Sequence, residues 1–128
     1  KIRQAYAAGI RVFGENRVQE FAAKTPLLAD LKNAEWHLIG HLQSNKARKA
    51  VALFDVIHSI DSVDLLRRVD QAAAALGRDV DVLIQVDMAG EATKHGAPAN
   101  GMCVGYPTMR RMTSPFTVIF IFCFALPM

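Results

Sequence analysis

Cysteine is scarce in this sequence: two residues in 128, with no Cys-x-x-Cys pair. That excludes a disulfide-dense scaffold and a thiolate zinc motif. No apolar run reaches the roughly 18 residues that cross a bilayer as a helix. No Gly-x-Gly-x-x-Gly follows a strand-like run, so the dinucleotide fingerprint is missing. The chain opens Lys1-Ile2-Arg3, with neither an initiator Met nor an apolar leader, which reads as an internal piece of something longer. Acidic residues are lacking altogether beyond Glu91. Residues 1–96 hold 13 Lys/Arg against 12 Asp/Glu, whereas residues 97–128 hold Arg110 and Arg111 and no acid. The net charge of +3 is therefore made partly by the tail. A clustered basic face with interleaved aromatics, the footprint of a nucleic-acid binder, is also missing. The nearest approach is Lys46-Ala47-Arg48-Lys49, one helical turn, and it reads as a solvated face.

What is present suits one globular domain: 52% hydrophobic and 21% charged residues. Residues 1–96 alternate strand and helix patterns. Ile2–Ala8 reads as the end of a helix stopped by Gly9, and Ile10–Phe13 as a short strand. Val18, Phe21 and Ala22 recur at helical spacing until Pro26 interrupts, and Leu27, Leu28 and Leu31 resume it. Glu35–Gly40 is a second strand. Ala47, Ala50, Val51 and Phe54 mark a helix with Ser44 or Asn45 as its cap. Asp55–Ile60 is a third strand, and Asp61 or Ser62 caps the next helix. Leu65, Leu66, Val69, Ala72, Ala73 and Leu76 form that helix's apolar face, and Gly77 ends it. Val80–Val86 is a fourth strand. Such alternation with short loops implies a parallel sheet covered by helices, either doubly wound or a barrel. Polar residues crowd the strands' carboxyl ends, where α/β barrels place their chemistry, and this favours the barrel.

Composition changes abruptly near residue 97. The last 32 residues contain four of the five Pro, four of the five Met, four of the seven Phe and both Cys. Residues 115–126 are apolar on every side, strongly β-prone and uncharged, the signature of an aggregation-prone segment. A buried strand, a membrane-touching tail and out-of-frame translation compete as readings, and the abruptness favours the last. The expected organisation is a partial barrel over 1–96 and an irregular hydrophobic tail over 97–128.

Four stretches carry candidate chemistry. Phe13–Glu20 puts Glu15 and Asn16 at a strand-to-helix turn, where Asn16 either orients a polar ligand or only caps a helix starting at Arg17. Trp36–Lys46 brings His37 and His41, which share strand parity. Zinc needs a third protein ligand, from His58 or Glu15, so a hydrogen-bonded strand-end histidine is the simpler reading. Ser59 and Asp61 end the third strand, but no Gly-x-Ser-x-Gly elbow supports a Ser-His-Asp hydrolase. Glu91–Gly96 carries Lys94, which a flanking Glu91 and His95 would keep solvated and protonated.

Together these stretches resemble the pyridoxal phosphate homeostasis proteins, built on the alanine racemase N-terminal barrel. The residues that carry the resemblance are Phe13–Glu20, Trp36–Lys46, Ile57–Ser62 and Val82–Asp87 through Glu91-x-x-Lys94-x-Gly96, in the family's order and spacing. The resemblance implies a single-domain (β/α)8 TIM-type barrel, of which residues 1–96 supply about four βα units. It also implies pyridoxal 5′-phosphate held as an imine to a lysine at the end of the first strand. The implied role is that of a cofactor carrier in vitamin B6 and amino-acid homeostasis, not an enzyme. Pyridoxal phosphate-dependent apoenzymes are the implied recipients and the cytoplasm the implied location.

Three departures accompany the resemblance. The chain begins inside the helix after the first strand, so the cofactor lysine is not among its residues, and Lys1 does not match it. Residues 97–128 hold nothing like the family's late glycine- and serine-rich phosphate cradle. Asp87 stands where the family usually has Asn. By motif position, Asn16, Gly40, His41 and Ser59 are carried onto the ring-side wall of the cofactor site, with Lys46 as a helix support and rim contact. No catalytic residue and no metal ligand is assigned. The alternatives are a piece of a racemase- or decarboxylase-like pyridoxal phosphate enzyme and a non-functional truncated product.

Overall fold

The computed structural model describes residues 1–87 and 96–98, together with the strand at 118–123. The elements in chain order are α1 (Ile2–Ala7), β1 (Val12–Glu15), α2 (Val18–Leu28), β2 (Glu35–Leu38), a 3-10 turn (Ser44–Lys46), α3 (Ala47–Leu53) and β3 (Val56–Ile60), followed by α4 (Val63–Leu76), β4 (Asp81–Asp87), β5 (Ala97–Pro98) and β6 (Val118–Cys123). Strands β1 to β4 lie side by side in sequence order, all parallel. This is the βα succession of a partial barrel, as the alternating pattern implies.

One face of the sheet is buried by the helices. Leu38, Ile57, Ile60, Val82, Ile84 and Val86 are fully covered and join one core cluster with Val18 and Phe21 of α2, Ala50 and Val51 of α3, and Leu66 and Val69 of α4. Strand alternation puts Val82, Ile84 and Val86 on that face of β4. Between β3 and β4 the register runs Ile57↔Val82 and then Ile60↔Ile84, so β3 carries one extra residue there. Such a bulge lets both isoleucines reach the helix side. An aromatic row of Phe13, Trp36, Phe21 and Phe54 ties β1, β2, α2 and the end of α3 together, with successive ring centroids 5.1, 4.7 and 4.8 Å apart.

Helix α4 follows its sequence closely. Ser62 Oγ accepts from the Leu65 amide at 3.3 Å, and Gly77 closes the helix at φ +59°. Only a residue without a Cβ takes that left-handed conformation cheaply. Leu65, Leu66, Val69, Ala72 and Ala73 are buried as the spacing predicts.

Elsewhere the boundaries differ from expectation. β1 starts at Val12, not Ile10, because the Ile10 amide is taken by the Ala5 carbonyl and pairing with β2 begins at Val12↔Glu35. α2 runs through Pro26 to Leu28 without interruption. Pro26 falls in the last turn, where a missing donor costs less than in mid-helix. There Thr25 Oγ1 donates to Phe21 O at 2.9 Å, and Arg3 Nη2 donates to Leu27 O at 2.7 Å. Neither Ser44 nor Asn45 caps α3; both sit in the 3-10 turn, and Lys46 occupies the cap position without a side-chain bond.

The tail expected to be irregular contains two strands among the described residues. β6 pairs parallel with β4 from Val82↔Val118 to Asp87↔Cys123, the strand reading of that apolar segment. β5 adds a two-residue pairing, Val86↔Ala97 and Asp87↔Pro98. The loop with Glu91, Lys94 and His95, and the pair Arg110 and Arg111, lie outside the described residues. Among the described residues no helix is long and apolar enough to cross a membrane.

Candidate functional site

The carboxyl ends of β1, β2 and β3 form a polar rim. The β1–α2 turn presents Asn16. Helix α2 begins at Val18 with Arg17 at its cap position, and no side chain bonds there. Asn16 therefore does not serve as the cap of this helix. It is exposed, and its side chain makes no hydrogen bond among the described residues.

Gly40, just past β2, lies against Asn16. A Cβ at Gly40 would come within 2.9 Å of Asn16 Cα and 2.8 Å of its carbonyl carbon, closer than real Cβ atoms approach. The absence of a side chain at residue 40 thus sets how near the β2 loop and the Asn16 turn can be. Glu15 fixes the other end of this corner. It is 8% exposed, accepts Lys24 Nζ at 2.8 and 3.0 Å, and its backbone carbonyl accepts the Ile39 amide at 3.0 Å.

His41 follows Gly40 and stands between two clefts. One, of about 200 Å³, is lined by Asn16, Arg17, His41, Gln43 and Lys46 among others. The other, of about 440 Å³, is lined by His41, Ser44, Asp61, Ser62 and Arg68 among others. His41 Nδ1 lies 3.5 Å from Asp61 Oδ2. Asn16, Gly40 and His41 are thus brought together, with Lys46 at the same cleft. Ser59 is near the end of β3, 2% exposed, and its hydroxyl has no hydrogen-bond partner among the described residues. It lines neither cleft. A buried unpaired hydroxyl costs about 1–3 kcal/mol, so it is a polar atom short of a partner.

The two histidines of like parity part company. β2 ends at Leu38, so His41 does not continue its alternation. His37 instead meets His58 of β3 and Glu35, an arrangement that motif reading missed. Its trace in the sequence is the parity of Glu35 and His37, but the partner strand's register is needed to add His58. Glu15 is turned to Lys24. Among the described residues no group of three metal-ligating side chains is placed to hold an ion. Ser59 bonds neither His nor Asp, so no hydrolytic triad forms among the described residues.

The arrangement offers a neutral amide, an imidazole next to a carboxylate, and the cation Lys46 around one cleft, with Arg17 paired to Glu20 at 2.9 Å. That set suits a small polar anion. Toward pyridoxal phosphate the described residues offer an amide on the rim and a backbone approach that a Cβ would obstruct, whereas the orphaned Ser59 hydroxyl lies outside both clefts.

Comparison with known proteins points the same way. The family described as alanine racemase, N-terminal domain, matches residues 1–124. Pyridoxal phosphate homeostasis proteins from Synechocystis and Aquifex aeolicus are 42% and 44% identical over 95 residues, 74% of this chain. The chain spans 44% and 41% of their lengths, less than half of each. Among solved structures, PipY of Synechococcus elongatus with PLP bound matches at 42% identity and a TM-score of 0.89, over 99% of this chain and 58% of that one. Alanine racemase from Clostridium difficile matches at 13% identity with a TM-score of 0.68 over 96% of this chain and 31% of that one, a likeness of fold alone.

Proposed function

The chain belongs to the alanine racemase N-terminal domain family, and from that premise we propose that its protein binds pyridoxal 5′-phosphate as a carrier in vitamin B6 and amino-acid homeostasis. The names of the similar relatives support this reading, as does the bound ligand of PipY. In this reading the protein holds and delivers the cofactor and does not turn over a substrate. Delivery to pyridoxal phosphate-dependent apoenzymes, in the cytoplasm, completes the proposal.

The observation that carries it is the exposed, uncommitted Asn16 amide, pressed close to Gly40 and sharing a cleft with His41. Asn16 both donates and accepts, so it can orient a polar substituent of the ring. His41 adds an imidazole whose orientation the neighbouring Asp61 biases. Gly40 acts through Asn16 by permitting the close backbone approach. Ser59, on the adjoining strand, lies outside the cleft and is assigned no contact with the cofactor. Lys46 makes the cleft favourable to an anion. When bound, the cofactor would supply an electrophilic aldehyde and an electron-accepting pyridine ring.

The test is an absorbance titration of pyridoxal phosphate against the protein at its native length, alongside an amino-acid turnover assay. Stoichiometric binding without turnover is the expected result. Absence of binding overturns the reading, and turnover of an amino acid replaces carrier with enzyme.

A further inference from the structure

A second polar constellation lies away from the rim, on the sheet face opposite the helices. Trp36 packs on Phe21 of α2 and Leu38 is in the core, so strand alternation turns His37 the other way. There His37 Nε2 lies 2.8 Å from Glu35 Oε1, and His37 Nδ1 lies 2.8 Å from His58 Nε2. The two rings are tilted, with centroids 5.0 Å apart.

Proton counting constrains this chain. Glu35 accepts, so His37 Nε2 carries a proton. The short contact to His58 then needs one donor and one acceptor. With both rings neutral, His58 Nε2–H donates to His37 Nδ1. With one added proton, His37 Nδ1–H donates to His58 Nε2, and Glu35 offsets the charge. With two added protons both nitrogens are donors, and the contact becomes a clash of like charges.

The contact bridges the sparsest seam between the first four strands. β2 and β3 are in register only at His37↔Val56 and Leu38↔Ile57, against four pairs between β1 and β2. Below it, Trp36 and Asp55 exchange two bonds of 2.9 Å, Trp36 N to Asp55 Oδ2 and Asp55 N to Trp36 O. We propose that Glu35, His37 and His58 form a proton switch on this seam, which holds β2 to β3 with up to one added proton and forces them apart with two.

Glu15, Arg11 and Asp55, charged groups near the pair, have partners of their own. On β1, Gly14 stands opposite His37, Glu15 faces Lys24, and Arg11, just before the strand, donates to the carbonyls of Tyr6 and Ile10. Beside β3, Asp55 is tied to Trp36 and to Arg78. On β4, Asp81 is in register with Val56. The carboxylate hydrogen-bonded to the pair is Glu35. Burial first, and then the nearby His37, hold the His58 imidazole below its usual value of 6.5. A histidine that binds protons more weakly when folded gives stability that is complete above the unfolded value. That stability is lost as pH falls from there towards the folded value.

The single tryptophan, Trp36, lies on β2 and reports the seam. The experiment is an acid titration of Trp36 emission in the native-length protein, paired with ring-nitrogen NMR of the histidines. The wild type is expected to change below pH 6.5, at the second of two separate protonations of the pair. His58→Gln, which leaves a hydrogen-bonding group without a second charge, is expected to lower the midpoint and remove the second protonation. Glu35→Gln is expected to raise the midpoint. An identical profile in wild type and His58→Gln overturns the proposal. If His58→Gln does not fold, the wild-type spectra decide: independent titration of His37 and His58 at ordinary histidine values overturns it equally.

Discussion

Gly40 and Asn16 meet backbone to backbone: a methyl group at residue 40 would fall against the Asn16 carbonyl. The close approach joins the two loops that carry the rim, and Gly40 has no side chain to obstruct it. Gly40→Ala is therefore expected to lose about 1–3 kcal/mol of stability, the range for overpacking a closed site. It should also weaken pyridoxal phosphate binding beyond what that loss explains. Urea unfolding and a binding titration on the same sample separate the two effects, and unchanged stability contradicts the contact.

Lys24 is expected to matter more than an exposed lysine does. Its ammonium closes on Glu15, whose side chain is largely buried. Removing the cation by Lys24→Met leaves a covered carboxylate without its partner, at a cost of about 1–3 kcal/mol. Adding Glu15→Gln should restore part of the loss, which a double-mutant cycle in urea measures.

Ser62 is the one side-chain N-cap among the described helices. Ser62→Ala is expected to cost about 1 kcal/mol, and Ser62→Asp to stay close to wild type. Thermal unfolding distinguishes them, and equal losses in both would show that the cap bond is not the cause.

Asp70 gives a pH dependence of opposite sign to that of His58. One of its carboxylate oxygens is buried without a partner, and burial raises its pKa above the ordinary 3.8. The folded state then binds the proton more tightly than the unfolded state. Its contribution to stability is present below about pH 3.8 and is lost as pH rises through the folded value. Asp70→Asn is expected to be as stable as wild type or more so at pH 7, with the difference shrinking in acid. A neutral-pH loss in Asp70→Asn contradicts this.

Much of the fold was legible because local signals agreed. In α4 the cap Ser62, the spacing from Leu65 to Leu76 and the stop at Gly77 all point to one helix, and tertiary packing had nothing to overrule. β1 starts two residues later than its own residues suggest because its start depends on where β2 pairs, which its own sequence does not contain. Pro26 misled because its cost depends on its position in the turn and on Thr25 and Arg3 nearby. β6 was obscured by composition: an uncharged β-prone run reads equally as an aggregating tail or a strand until a partner such as β4 is known. Of the candidate site residues, Asn16, Gly40 and His41 converge in the structure, whereas Ser59 lines neither cleft. The His37–His58 pair was not legible, because a β2–β3 register brings it together.

The most direct test of the account is the dissociation constant of pyridoxal phosphate for the native-length protein, wild type against Asn16→Ala, by equilibrium absorbance titration. Loss of one oriented hydrogen bond predicts affinity weakened about 5- to 10-fold with unchanged unfolding in urea. Equal affinities in the two proteins would contradict the placing of the cofactor on the Asn16 rim.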